Sequence, residues 1–292
     1  MKICVIANCQ VQSIVKGLSA LADVEKIAGL QIHLIGSPFF QKPQEEFRTL
    51  AESHDVTVLS FLLGDRFGEY ETRKLKQTMP RLFTVTNLYF SGLHPDITYI
   101  GGQGGRLQSP LGDYHSKIIL HSFITGRSKS DCLERFAGKV YEKLGMFDEF
   151  EKSKNELIGR DIGIDFPFGK IFLEMVKERP SLYTVNHPTA FVFQAYIIYL
   201  AGLLGLRAHR MPLEILPNYF ANAAWWPVYN EIGEYHSVQY SMPMVFKQPE
   251  NLGGKFIDLE ELIDRSYLDY ARMEKRIRSS TQVQTIIEEW GD

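Results

Sequence analysis

The feature that most constrains this chain is a change of hydrophobic period within its first twenty residues. Ile3 to Ala7 is a continuous apolar run with the length of a buried strand. It breaks at Asn8-Cys9-Gln10, and beyond the break Val11, Ile14, Val15, Leu18 and Leu21 recur at helical spacing. A strand buried on both faces that hands over directly to a helix is the opening of a βαβ unit. Cys9 then occupies the turn at the carboxyl end of the first strand, where open α/β sheets bind their ligands. The N–H groups of the following helix can favour a thiolate there and receive a developing oxyanion.

The same alternation continues through the N-terminal half. Strand-like runs at Leu30–Ile35, Val56–Phe61 and Leu82–Thr86 are separated by polar segments around Gln44–Ser53 and Glu69–Met79 that read as helices. Four strands separated by helices imply a parallel sheet with right-handed crossovers, hence an α/β fold with flanking helices. From Lys117 onward the pattern is mainly helical. Lys117–Thr125 is apolar, Ser130–Leu144 amphipathic and Asp148–Ile158 charged. Ala190–Leu206 is a long apolar helix with Thr189 placed to cap it. Leu259–Trp290 closes the chain as one or two amphipathic helices. The expected division is an α/β part, 1–115, carrying Cys9 and His94, followed by a mainly helical part, 116–292, carrying His187.

Composition narrows the function classes. A net charge of −3 over 292 residues gives no general basic field for nucleic acid. Three cysteines, Cys4, Cys9 and Cys132, form neither a disulfide framework nor a CxxC metal spacing. A reducing, cytoplasmic setting is therefore expected. No signal peptide is expected, since the first apolar run begins the fold, and the apolar stretch Ala195–Leu206 is shorter than a bilayer requires. No H-E-x-x-H or comparable spacing points to a metal. Small phosphotyrosine phosphatases also deliver a cysteine from an N-terminal strand, but they need an arginine six residues later to clamp the phosphoryl group, and here that position is Val15.

A catalytic thiol needs a base. Of eight histidines, His94 and His187 stand out, each preceding a proline and each following a strand-like segment. His121, inside an apolar helical run, reads better as a hydrogen-bonded core histidine. Asp65, Asp96 and Asp113 are candidate orienting acids. The glycine-rich run Gly101–Pro110 fits no nucleotide-binding signature, and it reads either as a surface loop or as a backbone cradle beside Arg106.

Taken together, Asn8-Cys9-Gln10, the run Tyr89-Phe90-Ser91-Gly92-Leu93-His94-Pro95-Asp96, and Asn186-His187-Pro188-Thr189 before an apolar helix ending in Leu204-Gly205 resemble the WcbI-like polysaccharide biosynthesis family. The resemblance spans the chain to about residue 210 and rests on the order and spacing of short motifs. It implies a role in bacterial capsule assembly, binding of coenzyme A, and acetyl transfer from acetyl-coenzyme A to a saccharide acceptor. Cys9 would be the reactive thiol, with His94 or His187 as base. Asn8, Gln10 and Asn87 would stabilise or position the oxyanion. Arg106 and Arg127, with Gly104 and Gly105, would meet the coenzyme A phosphates. Tyr89, Trp225 or Trp226 could stack on adenine or a sugar ring. The family arrangement also looks like that of SGNH-type esterases with cysteine in place of serine, although this chain has no G-D-S and no clear D-x-x-H near its C-terminus. A cysteine-dependent ester hydrolase and a non-catalytic glycan-binding protein are the alternatives.

Overall fold

In a computed structural model, residues 1–31, 47, 49, 52–101, 105–218 and 220–291 are described. Their contacts divide the chain into two compact units, each drawn from separated stretches. Unit 1 holds Met1–Tyr89, Asn155–Met175 and Pro188–Phe220, and unit 2 holds Phe90–Lys154, Val176–His187 and Ala221–Asp292. The division differs from the expected boundary at 115. Residues of the helical half return to complete the α/β unit, and a return of this kind leaves no composition shift along the chain.

Unit 1 is built on a four-stranded parallel sheet. Strand β1 (Lys2–Ala7) leads into helix α1 (Val11–Leu21), followed by β2 (Lys26–Gln31), β3 (Val56–Leu59), helix α2 (Thr72–Thr78) and β4 (Leu82–Thr84). The strand order is β2-β1-β3-β4, with Ile6 opposite both Leu30 and Leu59. Ile3 through Ala7 are completely buried because β1 is flanked by strands on both edges and covered on both faces. Each such aliphatic side chain contributes about 1.5–3 kcal/mol. Cys4 and Ile6 join Leu59, Phe61, Leu63, Tyr70, Leu75 and Leu82 in a core cluster on one face.

On the other face α1 lies close to β2. A Cβ at Gly29, the partner of Val5 in the sheet, would fall 2.8 Å from Val15 and 2.9 Å from Val11. Further along the helix, a Cβ at Gly17 would lie 2.8 Å from both Phe193 and Ile197 of the helix Ala190–Leu203. The missing side chains thus set how closely α1 approaches its neighbours.

Several expected boundaries moved. Strand β2 begins four residues before the expected Leu30, because pairing with Lys2 pulls Lys26 into register. Its edge position exposes both ends, so its hydrophobic pattern is weak. Residues 32–46 lie outside the described residues, and of the expected helix 44–53 only Phe47, Thr49, Glu52 and Ser53 are described, the first three as helix and Ser53 as turn. The expected helix over 69–79 is a 3-10 segment, Asp65–Tyr70, followed by α2, with the break at Gly68 and Glu71. The expected helix over 130–144 is two, Lys129–Glu134 and Gly138–Lys143, separated by extended Ala137. No helix among the described residues is long and apolar enough to cross a membrane.

Unit 2 is mainly helical. Helix Lys117–Ile124 packs with Lys129–Glu134 and with the long C-terminal helices Leu259–Arg278 and Thr281–Trp290, beside an antiparallel pair Val245–Lys247 and Phe256–Asp258. Its interior contains a hydrogen-bonded polar network. Asp96 accepts from the Ile118 amide at 2.9 Å and from the Tyr229 hydroxyl at 2.7 Å, and Tyr229 in turn accepts from the Trp226 indole at 3.1 Å. Burial pushes the Asp96 carboxyl up, against the donors that pull it down. His121 is the core histidine its surroundings suggested, with Nε2 donating to the Gly291 carbonyl at 2.6 Å and Nδ1 accepting from Arg135 at 2.8 Å.

Two outcomes follow from this packing. Gly17→Val overpacks the contact with Phe193 and Ile197, and urea titration is expected to show a loss of about 1–3 kcal/mol. Burial holds His94, His115 and His187 at about 4, below the usual 6.5. The unfolded chain therefore binds more protons than the native one between these values. Stability is complete above pH 6.5 and falls as the pH drops towards 4, by on the order of 3 kcal/mol per histidine, as measured by urea midpoints across that range.

Candidate functional site

The switch in direction of the chain at β1 sets the first part of the site. One connection leaves β1 towards β2 and the sheet then resumes on the other side of β1 with β3, so the carboxyl end of β1 is a topological switch point, where neighbouring loops part. Asn8 starts the turn there. Its Oδ1 accepts from the Gln10 amide at 3.1 Å and lies 3.8 Å from Cys9 Sγ, while its carbonyl accepts from the Val11 amide at 3.1 Å. The turn leaves Cys9 exposed, directly before α1, whose first turn carries no acidic residue and no side-chain cap. Cys4 and Cys132 are buried, and burial raises both thiols to about 11. Cys9 is the exposed cysteine of the three.

The loop after β4 forms the second part, and it is fastened at three carbonyls. Tyr196 Oη donates to Thr86 O at 3.0 Å, Gln10 Nε2 to Leu88 O at 2.8 Å, and Arg160 to Tyr89 O at 2.6 Å. Gln10 thus ties the cysteine turn to this loop. Asn87 lies among the fastened residues, and its Nδ2 is buried without a partner among the described residues. After β3, Ser60 is completely buried, and its Oγ has no partner among the described residues. Cys9, Asn8, Gln10 and Asn87 therefore all belong to unit 1, at the carboxyl ends of β1 and β4.

The candidate histidines belong to unit 2. His94 is enclosed, with Nε2 donating to the Trp226 carbonyl at 3.1 Å and Nδ1 buried without a partner among the described residues. Its orientation comes from a backbone carbonyl, and Asp96 is committed to Tyr229 and Ile118. His187 is partly exposed and packs edge to face with Tyr114, whose hydroxyl lies 3.4 Å from Nδ1 and donates to Asn186 Oδ1 at 2.8 Å. Desolvation lowers both imidazoles to about 4.

Arg106 is brought into the same neighbourhood. Its guanidinium sits 4.2 Å over Tyr99, which packs against Tyr114, and it pairs with Asp113 at 2.8 Å. Gly105 has φ of +90°, a left-handed conformation that suits glycine. Gly104 lies outside the described residues. Arg127 is exposed, with its carbonyl accepting from Tyr267 at 3.1 Å. Trp226 is completely enclosed against Phe246 and Tyr229, so its ring offers no face for stacking. Trp225 is partly exposed and stacks on Tyr183 at 4.7 Å. The sequence reading missed Arg160, Tyr114 and Ser60. Asn186 was legible only as part of the His187 motif.

Among the described residues no group of three or more His, Cys, Asp or Glu is placed to hold a metal ion. The family model for the polysaccharide biosynthesis enzyme WcbI matches residues 2–209. No curated protein matches the chain. It is similar over 100% of its length, and 99% of the other chain, to a solved structure of WcbI at 16% identity and a TM-score of 0.61. That protein is described as a polysaccharide biosynthesis enzyme, in native form without a disulfide bond between coenzyme A and one of its cysteines. At this identity the likeness carries the fold, and the family follows from the match over residues 2–209. The chain belongs to the WcbI family of polysaccharide biosynthesis enzymes.

Proposed function

We propose that this enzyme transfers an acetyl or other acyl group from coenzyme A to a sugar hydroxyl of a capsular or other surface polysaccharide precursor, with Cys9 as the reactive thiol. The observation that carries the reading is the placement of the exposed Cys9 at the switch point of the sheet, in the same unit as the unpartnered Asn87 amide. The similar WcbI structure, described as a native form without a disulfide bond between coenzyme A and one of its cysteines, supports it by naming those two groups together.

With Cys9 as the nucleophile the chemistry runs through two acyl transfers; with Cys9 orienting a direct transfer it runs through one. A base takes the Cys9 proton, the thiolate attacks the thioester carbonyl, and the tetrahedral oxyanion collapses to an acyl-cysteine as the coenzyme A thiolate leaves and takes the proton. The sugar hydroxyl then gives its proton to the base and attacks the acyl-cysteine, which releases the ester and restores the thiolate. Donors aimed at the oxyanion are each worth roughly 100- to 1000-fold in rate. Asn87 Nδ2 suits that role because its N–H groups are held without an acceptor among the described residues, in a loop fastened at three carbonyls. Asn8 and Gln10 shape the turn that presents the thiol.

Of the two histidines, His187 is the better base. Its ring is partly exposed, and desolvation keeps it neutral and able to accept a proton down to about pH 4. His94 is enclosed, and its Nε2 already serves the Trp226 carbonyl. Arg106, Gly105 and Arg127 remain candidate contacts for the coenzyme A phosphates. The pairing of Arg106 with Asp113 leaves it the more neutralised of the two arginines.

Calorimetric titration with coenzyme A and acetyl-coenzyme A, with ATP as a control for generic phosphate binding, tests the donor half. Saturable, coenzyme A-selective binding is expected, and its absence at millimolar ligand overturns the reading. Cys9→Ala is expected to bind coenzyme A within a few-fold of wild type while acyl transfer falls by about 1000-fold or more. Turnover of simple esters at full rate without a sugar acceptor would favour hydrolysis instead. With His187 as base, kcat/KM loses activity on the acid side near pH 4. An acid limb near 6.5 would exclude this histidine in its buried state.

A further inference from the structure

Arg160 stands out from the other cations of unit 1 by its surroundings. It lies in the last turn of the helix Glu149–Asp161, with its side chain 39% exposed. One guanidinium nitrogen donates to Tyr89 O at 2.6 Å, and the group sits 5.6 Å from the centre of the Tyr89 ring. The neighbouring carboxylates do little to neutralise it. Glu156 is 3.8 Å away, beyond hydrogen-bond distance, and both oxygens of Asp161 are engaged, one with Thr86 Oγ1 and one with the Gly169 amide, each at 2.7 Å. Partial desolvation holds the guanidinium below its ordinary range, with Glu156 pulling the other way.

The position of this charge gives it a function. Tyr89 follows Leu88, whose carbonyl receives Gln10 Nε2, and Gln10 follows Cys9. The guanidinium therefore stands on the same group of loops, at the carboxyl edge of the sheet, as the thiol. Among the described residues one of its five donors is committed, to the Tyr89 carbonyl, and the geometry of the planar fork matches a phosphate or carboxylate.

We infer that Arg160 binds an anionic oxygen group of the ligand whose reacting end lies at Cys9. The inference rests on the acyl-transfer reading and adds to it a residue that holds the substrate. A phosphate of coenzyme A and the acidic group of a saccharide acceptor share this chemistry, and the experiment separates them.

The test is calorimetry of wild type, Arg160→Gln and Glu156→Gln with four probes: coenzyme A, pantetheine, glucose 1-phosphate and glucuronate. Arg160→Gln is expected to weaken coenzyme A binding about 10- to 100-fold while pantetheine, which lacks phosphate, binds as in wild type. A loss confined to glucose 1-phosphate or glucuronate assigns the anion to the acceptor. Equal losses for coenzyme A and pantetheine mean that Arg160 acts only by holding the Tyr89 loop, and they overturn the assignment, as does unchanged binding of all four. Should Arg160→Gln fail to fold, the exposed Glu156→Gln carries the test. Removing the competing carboxylate tightens coenzyme A binding about two- to threefold, and unchanged affinity overturns the inference. Wild-type protein that binds none of the probes overturns the acyl-transfer reading together with the inference, whereas wild-type binding that survives Arg160→Gln overturns the inference alone.

Discussion

Unit 1 depends on the burial of β1. Five consecutive residues, Ile3 to Ala7, are enclosed on both faces and paired along both edges, which requires β1 to be an interior strand with neighbours on either side. Once a first strand is interior, the chain must leave it, pair on one side and later return on the other. A gap between loops at the carboxyl end of that strand is then unavoidable. Asn8-Cys9-Gln10 occupies that place. The glycines at 17 and 29 belong to the same constraint, since α1 approaches the helix Ala190–Leu203 at Gly17 and β2 at Gly29 more closely than a side chain there would allow.

The polar groups of the candidate site are supported by residues far away in sequence. Three side chains from three helical regions, Gln10, Arg160 and Tyr196, each fasten one carbonyl of the loop that carries Asn87. A donor held in this way has lost its freedom before any ligand arrives, and this is the condition under which a hydrogen bond to a developing charge costs no reorganisation. In unit 2 the same principle has the opposite consequence. His94 is held through the Trp226 carbonyl inside a network that includes Asp96 and Tyr229, and enclosure keeps its ring away from solvent. His187, packed against Tyr114, is the more accessible of the two rings.

Exposure sorts the three cysteines. Cys4 and Cys132 sit in apolar surroundings that disfavour the thiolate, while Cys9 stands in a turn before a helix N-terminus with no acidic residue in its first turn. Charge is arranged by the same logic. Arg106 is neutralised by Asp113 and covered by Tyr99, whereas the nearest carboxylate to Arg160 stays out of hydrogen-bond reach.

The sequence by itself determined what local periodicity encodes. The switch from an apolar run to helical spacing around Cys9, the repetition of that alternation through β4, and the capping position of Thr189 all appear in the structure, because burial on two faces and amphipathic helices leave their period in the residues themselves. The order and spacing of the Cys9, His94 and His187 motifs also carried the family. Tertiary structure decided the rest. The start of edge strand β2 came from its pairing with β1, and the break at Ala137 split a helix that the periodicity read as continuous. The return of residues 155–175 and 188–220 to unit 1, the enclosure of His94 and the presence of Arg160 beside Tyr89 rest on contacts between residues tens of positions apart. Such contacts leave no period behind, so no reading along the chain could have found them.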